Sequence, residues 1–443
     1  MDDGGLSRQE HDEMRDLVLA GAQSIRPSAT HLGQSVAAGV VLVLVGATAG
    51  AAVTWQVREG GPPAVLWGSP APTAISNGWV AFSAESQAER SEIHLVKPGS
   101  PAQLVLRPVS YKASLECPSF SPDGARLAAG QAVGEFDSWG DVALVFTDLT
   151  PDGQPYGTTT VALDGLTQPP CPIWSADGRW VALIAGTQGQ TDRRIGDEVW
   201  VVDTRTSDIS RVKGLRATDI EWSPIAPELF IASDDISVYT TTTGQTRRVD
   251  GTSGSVAFTI SPDGQSMVVQ HDSNGSLDGP EGLWMMGVDG SDQRLLASDY
   301  EAFHGIGPVW SPDGNRLVYQ RLCDTLMDGS GNERTCREEH EGVVVTIGGG
   351  DPLPPFGSET VIPPPVTTQG GVSKVWAPYS ITWSPDGTML LYTAWGTWES
   401  GGDWNSSIGV VALPVDGATP PVVLTEATDE AGGSAWAWAR ERG

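Results

Sequence analysis

Apolar and polar residues alternate with a period of two around a short phrase that recurs six times in the chain. This alternation is typical of β-strands. A second apolar run follows each phrase, as in Val181-Ala182-Leu183, so each unit is predicted to open with a β-hairpin. The large residue directly before each copy is, in chain order, Phe120, Trp174, Trp222, Ile260, Trp310 and Trp383.

The phrase itself reads Ser-Pro-Asp-Gly in its full form and repeats at intervals of roughly 40 to 70 residues, a period typical of propellers and other repeat architectures. Proline fixes φ near the start of a turn, and glycine takes the left-handed position that closes a hairpin. The third copy departs from the pattern because Ile225-Ala226 replaces Asp-Gly, so a different turn geometry is expected there. The six copies begin at Ser121, Ser175, Ser223, Ser261, Ser311 and Ser384.

A third apolar run and a shorter polar run complete each unit, and four strands per unit of this length predict the blade of a β-propeller. The chain ends fit the same pattern. Residues 77–82 resemble the second strand of a blade, and residues 436–438 resemble a first strand. Joined, they would close the ring and cover its two free edges. The predicted fold is therefore all-β: one propeller with seven four-stranded blades, six or eight being the alternatives.

These repeats resemble those of the TolB-like propeller family, also called PD40 or WD40-like repeats, over roughly residues 75–443. The resemblance implies a propeller fold and an extracytoplasmic location more than it implies an activity. Members of the family include proteins of translocation systems, propeller domains beside peptidases, and some sugar lyases.

An uncharged segment precedes the propeller between His31 and Arg58 and is long enough to span a bilayer as a helix. We expect an uncleaved transmembrane anchor at residues 34–57. A cleaved signal peptide is the alternative, since Ala47-Thr48-Ala49 resembles a cleavage site, but the preceding region is long and acidic. Three arginines before the segment place the N-terminus in the cytoplasm and the propeller outside the cell membrane.

The segment divides the chain into four predicted parts. Residues 1–33 form a cytoplasmic tail with a short helix, and residues 34–57 form the anchor. Residues 58–74, rich in glycine and proline, form a linker. Residues 75–443 form the propeller, which we expect to be monomeric.

The chain carries a formal net charge of −29, almost all of it after the anchor. Such a surface repels nucleic acid and anionic lipid, which excludes nucleic acid as a partner. Solubility alone explains many acidic surfaces. A protein or glycan of the cell envelope remains compatible with this charge.

All four cysteines fall in the propeller, and an even number outside the cytoplasm is consistent with disulfides. Cys117 and Cys171 occupy equivalent positions in adjacent units, which makes a bridge between their blades geometrically reasonable. Cys323 and Cys336 bracket a polar loop that they could close. Four buried free thiols are the alternative.

Long connections are predicted on the face opposite the Ser-Pro-Asp-Gly turns, at about 83–91, 131–140, 186–197, 271–281, 321–341, 350–379 and 395–407. Long loops on one face of a rigid scaffold commonly carry function. Two of them contain aromatic residues beside acids, which would suit stacking on sugars or gripping a peptide, unless these residues only pack on blade edges. The candidate ligand-binding residues are Asp137, Trp139, Trp395, Trp398, Asp403 and Trp404.

No nucleophile elbow, zinc-protease motif, phosphate loop or dinucleotide fingerprint occurs, and no catalytic residue is assigned. His271, His304 and His340 fall in long connections and are weak candidates for a metal site, so a divalent cation is the one cofactor considered. Two interpretations follow. The favoured one is a membrane-anchored binding or scaffold propeller without catalysis. The alternative is a metal-dependent, lyase-like enzyme acting on polysaccharide at the central channel.

Overall fold

The computed structural model describes residues 77–86, 90–97, 101–108, 113–134, 140–166, 168–185, 197–271, 282–297, 308–322, 326–327, 333–334, 340–346, 360–362, 366–369, 372–400, 403–415, 420–427 and 436–440. All of these residues belong to one compact unit, Thr73–Gly443. The predicted tail, anchor and linker lie outside them. Among the residues that are described, no helix has the length and apolar character needed to cross a membrane.

Every regular element in the described part of the chain is a β-strand, and the strands form antiparallel sheets that follow one another along the sequence. Sheet 1 contains β1 (Asn77–Ser86), β2 (Arg90–Val96), β3 (Gln103–Leu106) and the last strand, β31 (Trp436–Arg440). Sheet 2 contains β4 (Ala113–Phe120), β5 (Arg126–Val133), β6 (Val142–Leu149) and β7 (Pro155–Ala162). Sheet 3 contains β8 (Ile173–Trp174), β9 (Trp180–Ala185), β10 (Asp197–Asp203) and β11 (Ile209–Ala217).

The next three sheets repeat this plan. Sheet 4 contains β12 (Asp219–Trp222), β13 (Glu228–Ala232), β14 (Ile236–Thr240) and β15 (Gln245–Arg248). Sheet 5 contains β16 (Ser255–Ile260), β17 (Ser266–His271), β18 (Gly282–Gly287) and β19 (Arg294–Ala297). Sheet 6 contains β20 (Val309–Trp310), β21 (Arg316–Leu322), β24 (His340–Thr346) and β25 (Thr360–Ile362), and a separate hairpin of β22 (Leu326–Met327) and β23 (Glu333–Arg334) lies between its second and third strands in sequence.

Sheet 7 is larger. It contains β26 (Val366–Gln369), β27 (Val372–Trp383), β28 (Met389–Ser400), β29 (Asp403–Pro414) and β30 (Val422–Ala427), paired in that order. The prediction of seven four-stranded blades is therefore wrong: the described residues form six four-stranded blades and one five-stranded sheet. The extra strand, β26, pairs with the first part of β27, from Val366 opposite Val375 to Gln369 opposite Val372.

The two chain ends share a sheet, as the sequence predicted. β31 pairs antiparallel with β1, with Phe82 opposite Trp436 and Val80 opposite Trp438. The strand order is β3-β2-β1-β31, so the C-terminal strand is the innermost one. The three outer strands come from the first part of the propeller sequence. The β-propeller class follows from this closure and from the successive sheets.

Alternate residues of one strand are buried in two different interfaces. In β1, Ala81 packs in a core with Leu115 and Leu127 of sheet 2, while Val80 and Phe82 pack in another core with residues of sheet 7. A sheet covered on both faces has nearly continuous apolar strands. This explains why the inner runs of each unit read as unbroken stretches of Val, Leu and Ala.

The turn phrase is held by a repeated set of hydrogen bonds. The Ser261 hydroxyl donates to the Asp263 carboxylate at 2.6 Å and accepts the Ser266 backbone N–H at 2.9 Å. Bonds from the Ser261 hydroxyl and the Gln265 backbone N–H hold the pKa of Asp263 below its usual value. The same two hydrogen bonds are present in four other turns, at Ser121, Ser175, Ser311 and Ser384.

The third copy differs in geometry, as expected. With no aspartate two residues on, the Ser223 hydroxyl accepts the backbone N–H groups of Ile225 and Ala226. Ile225 reaches the next turn instead, where a Cβ on Gly264 would lie only 2.7 Å from its Cγ1. Gly264 has φ +69°, so its conformation and the space beside it both favour glycine.

Neighbouring sheets are also joined covalently. Cys117 and Cys171, one of the two candidate pairs, form a disulfide between β4 and the residues that lead into β8. Their Cα atoms are 4.9 Å apart and 54 residues apart in sequence. A loop of this length makes a stabilisation of about 2–4 kcal/mol reasonable. Cys323 and Cys336 lie outside the described residues.

Tryptophans before the turn serines link successive sheets. The indole N–H of Trp174 donates to the Ser119 carbonyl at 3.0 Å, and that of Trp222 donates to the Ile173 carbonyl at 3.0 Å. Trp383 makes the equivalent bond to Val309 at 3.1 Å. Trp310 is buried, but its indole N–H has no hydrogen-bond partner in the described part of the chain.

Trp222 and Trp310 therefore provide a matched pair of variants that tests the contribution of the indole hydrogen bond. We expect Trp222→Phe to lower the free energy of unfolding by about 1 kcal/mol more than Trp310→Phe, because only the first removes an indole hydrogen bond. Urea unfolding of the two variants measures the difference. Equal losses would show that the indole N–H bond between sheets contributes nothing.

Candidate functional site

Part of sheet 7 projects beyond the other sheets. β27, β28 and β29 are each 12 residues long. At about 3.3 Å per residue, each spans about 40 Å. The longest strand of the other sheets, β1, has ten residues. The extra length of these strands lies at the end away from the Ser-Pro-Asp-Gly turns, because the turn that begins at Ser384 joins the opposite ends of β27 and β28. We call this projection the arm: residues 366–369, 372–378, 394–400 and 403–408.

The arm contains four of the six predicted ligand-binding residues. The expected loop at 395–407 is wrong, because Trp395 and Trp398 lie in β28, and Asp403 and Trp404 lie in β29. The predicted connection at 350–379 is likewise partly strand, since it includes β26 and much of β27. The connection at 83–91 is shortened by β1 and β2. In all three predicted connections, residues expected in open loops are paired with a neighbouring strand.

The register of β28 and β29 places the three tryptophan positions on two different faces of the arm. Trp398 is paired with Asn405, and Trp404 with Glu399. Directly paired positions share a face of a sheet, and successive positions alternate. Positions 395 and 404 therefore belong to one face of the arm, and position 398 belongs to the other. Asp137 and Trp139, the remaining candidates, lie outside the described residues.

One of the three candidate histidines has a described environment. His271 ends β17, and its ring lies 5.7 Å from the Trp284 ring, measured between centroids. Both ring nitrogens are shielded from solvent and make no hydrogen bond to any described residue. Burial lowers the pKa of His271, so the ring is neutral at pH 7 and has the form that binds metals.

The other two histidines do not complete a site in the part of the chain that is described. His304 lies outside it. His340 begins β24, opposite Leu322, and only its backbone is described. Within the described residues no group of three or more His, Cys, Asp or Glu side chains is arranged to hold a metal ion.

The face with the turns carries two adjoining clefts that the sequence did not indicate. Their volumes are about 350 and 320 Å³, at the small end of the range for ligand sites. Both include Trp174 and Ala176. In the first, Arg126 and Asp148 form an ion pair at 2.8 Å. The second is lined by Ile173, Trp174, Ala176, Ile220, Glu221, Trp222, Ser223 and Pro224.

Two carboxylates on the inner strand of sheet 4 stand out chemically. An Asp219 oxygen accepts the backbone N–H of Phe258 at 3.1 Å, and a Glu221 oxygen accepts that of Ile260 at 3.1 Å. Both acceptors reach from β12 to β16 of the next sheet. Each residue keeps some solvent exposure and Glu221 also lines the second cleft, yet burial is the main influence on the pKa of both carboxyl groups.

Burial changes the pKa of both carboxyl groups in the same direction. Burial raises the pKa of Asp219 to about 6 and that of Glu221 to about 8, and the charge of Asp219 adds to the second shift. Glu221 therefore keeps its proton at pH 7. The sequence offered one signal for this pair: acids at alternate positions of an apolar inner strand, in the one copy whose turn lacks Asp-Gly.

Comparisons with known proteins add little to this description. No family model and no curated protein matches the chain. Similar solved structures include the periplasmic gluconolactonase of Pseudomonas aeruginosa, 15% identical, with a TM-score of 0.49, covering 83% of this chain and 100% of that one. Another is an oligogalacturonate lyase in complex with manganese, 12% identical, with a TM-score of 0.41, covering 79% and 84%.

A third similar structure is hydrazine synthase of Kuenenia stuttgartiensis, 17% identical, with a TM-score of 0.42, covering 67% of this chain and 76% of that chain. All three likenesses are too distant to transfer an activity. The class of this protein, a β-propeller, rests on its own sheets and their closure.

Proposed function

We propose that this chain is a membrane-anchored, extracytoplasmic propeller of the TolB-like, PD40-repeat type that binds a protein or glycan of the cell envelope through the face carrying the arm. The observation that carries the proposal is the arm itself. Its strands pair without a break from Met389 opposite Pro414 to Ser400 opposite Asp403, so the aromatic positions are presented on a rigid support.

The composition of the arm and the charge of the chain narrow the class of partner. Three tryptophan positions lie within the paired hairpin of β28 and β29. Indole rings stack on sugar rings and anchor peptide interfaces. A net charge of −29 disfavours polyanions. We therefore infer an uncharged glycan or a basic protein surface as the partner, bound by a monomer.

Replacing Trp398 and Trp404 by alanine tests this proposal. We expect the double variant of the soluble propeller, residues 75–443, to lose at least about tenfold in affinity for isolated cell-wall material, because truncated interface tryptophans commonly cost more than 1.4 kcal/mol. Co-sedimentation measures the binding. The thermal unfolding midpoint should stay unchanged.

The matched control is Tyr156→Ala, since Tyr156 is an aromatic residue on β7, 70% exposed and outside the arm. It should bind as the unmodified propeller does. Equal binding by all three proteins would contradict the role of the arm, and a lowered midpoint in the double variant would identify the tryptophans as packing residues.

The location is proposed from the uncharged segment at residues 34–57 and the arginines before it. We expect a C-terminal epitope on the full chain to be removed when protease is added to intact spheroplasts, and an N-terminal epitope to be protected until lysis. Protection of the C-terminal epitope would place the propeller in the cytosol. Loss of the N-terminal epitope from the membrane fraction would indicate a cleaved signal peptide.

The enzyme alternative is favoured by His271, whose neutral, shielded ring lacks a described hydrogen-bond partner. In this alternative, a divalent cation bound with His304 and His340 would support lyase-like cleavage of a polysaccharide at the central channel.

If the alternative holds, calorimetric titration with Mn²⁺ will show binding that His271→Ala abolishes, and ultraviolet absorbance will detect unsaturated products from polygalacturonate. His94→Ala is the control, because His94 stacks on Phe82 with a ring-centroid distance of 5.6 Å and is no candidate ligand. Absence of manganese binding by the unmodified propeller would exclude the alternative.

A further inference from the structure

The link between sheets 4 and 5, which we call seam 4/5, differs from other links around the ring. At three described seams an indole N–H donates to a carbonyl of the preceding sheet. At seam 4/5 the residue before the turn serine is Ile260, which has no side-chain donor. The Asp219 and Glu221 carboxyl groups supply the link instead, by accepting two backbone N–H groups of β16 at 3.1 Å each.

The side chains around these carboxyl groups are uncharged, and Glu221 also has a hydrogen bond with the Thr259 side chain. β8, β9 and β16, which pack beside β12, contain no titratable side chain. β13 contributes only Glu228, at its end near the turn, where it faces Arg247 of β15 at 3.7 Å. No cation from these elements compensates the pair, so loss of both protons would leave two like charges in one enclosed seam.

We propose that Asp219 and Glu221 form a proton-dependent latch, which closes seam 4/5 while Glu221 is protonated and loosens it when both carboxyl groups are ionised. The neutral acid still offers its carbonyl oxygen to the Ile260 N–H, so protonation keeps the hydrogen bond while removing the charge. Because the latch is internal to the fold, it does not depend on the proposed binding function.

The direction of the effect follows from linkage. The pKa of Glu221 is raised in the folded state to about 8, and that of Asp219 to about 6. The folded state therefore binds more protons than the unfolded state between the ordinary carboxyl values, near 4, and these raised values. The contribution to stability is complete in acid, falls as the pH rises through this window, and is gone above about pH 8.

Hydrogen–deuterium exchange of the full propeller at several pH values tests the latch. After correction for intrinsic rates, we expect opening of β12 and β16, including the amides of Phe258 and Ile260, to increase by up to about tenfold per pH unit between about pH 6 and 8. The strands of sheet 2 should show no such slope. In Glu221→Gln, which keeps an acceptor but cannot ionise, the slope should disappear.

Two further variants complete the experiment. Glu228→Gln removes a carboxylate from the same sheet but outside the seam, and should retain the slope of the unmodified protein. Asp219→Asn should retain a slope but move it to lower pH, because a neighbouring negative charge is gone. A slope that is unchanged in Glu221→Gln, or that is equal in all sheets, would overturn the proposal.

Discussion

Backbone pairing between β1 and β31 is the constraint on which the rest of the structure depends. It joins the first and the last described strands, with Phe82 opposite Trp436. Each sheet buries one face against the preceding sheet and one against the following sheet, so an open ring would expose two large apolar faces. The core shared by Val80, Leu391 and Val410 exists only because the first and last sheets meet.

Within the closed ring, the turn phrase acts both inside a hairpin and between hairpins. Serine and aspartate hold the local turn, whereas proline and glycine meet across neighbouring sheets. A Cβ on Gly178 would lie 3.6 Å from Pro122 Cδ, and one on Gly314 would lie 3.6 Å from Pro262 Cδ. The four positions of the phrase are thus constrained by different neighbours. The third copy, which has Ile225-Ala226 in place of aspartate and glycine, contacts the next turn through Ile225.

Two sheets carry the residues of interest, and these residues differ in their chemistry and in their place in the ring. The arm carries tryptophan positions on long paired strands, beyond the end of the ring opposite the turns. The inner strand of sheet 4 carries two enclosed carboxyl groups, which take over a role that indole groups perform at other seams. The first arrangement is the basis for the proposed recognition of a partner, and the second is the basis for the proposed link between pH and the closure of one seam.

The sequence by itself determined the propeller class, the pairing of the chain ends and the unusual third turn, because each depends on local periodicity and on residues with narrow backbone preferences. It also indicated Cys117 and Cys171 as a candidate pair, since equivalent positions of adjacent units are close in a ring. Only the tertiary structure decided that residues 395–400 and 403–407 lie in paired strands and that sheet 7 has a fifth strand. The pairing runs through Gly396, which lies opposite Ser407. The same holds for Asp219 and Glu221: their alternate spacing is visible in the sequence, but their raised pKa values come from burial against a neighbouring sheet.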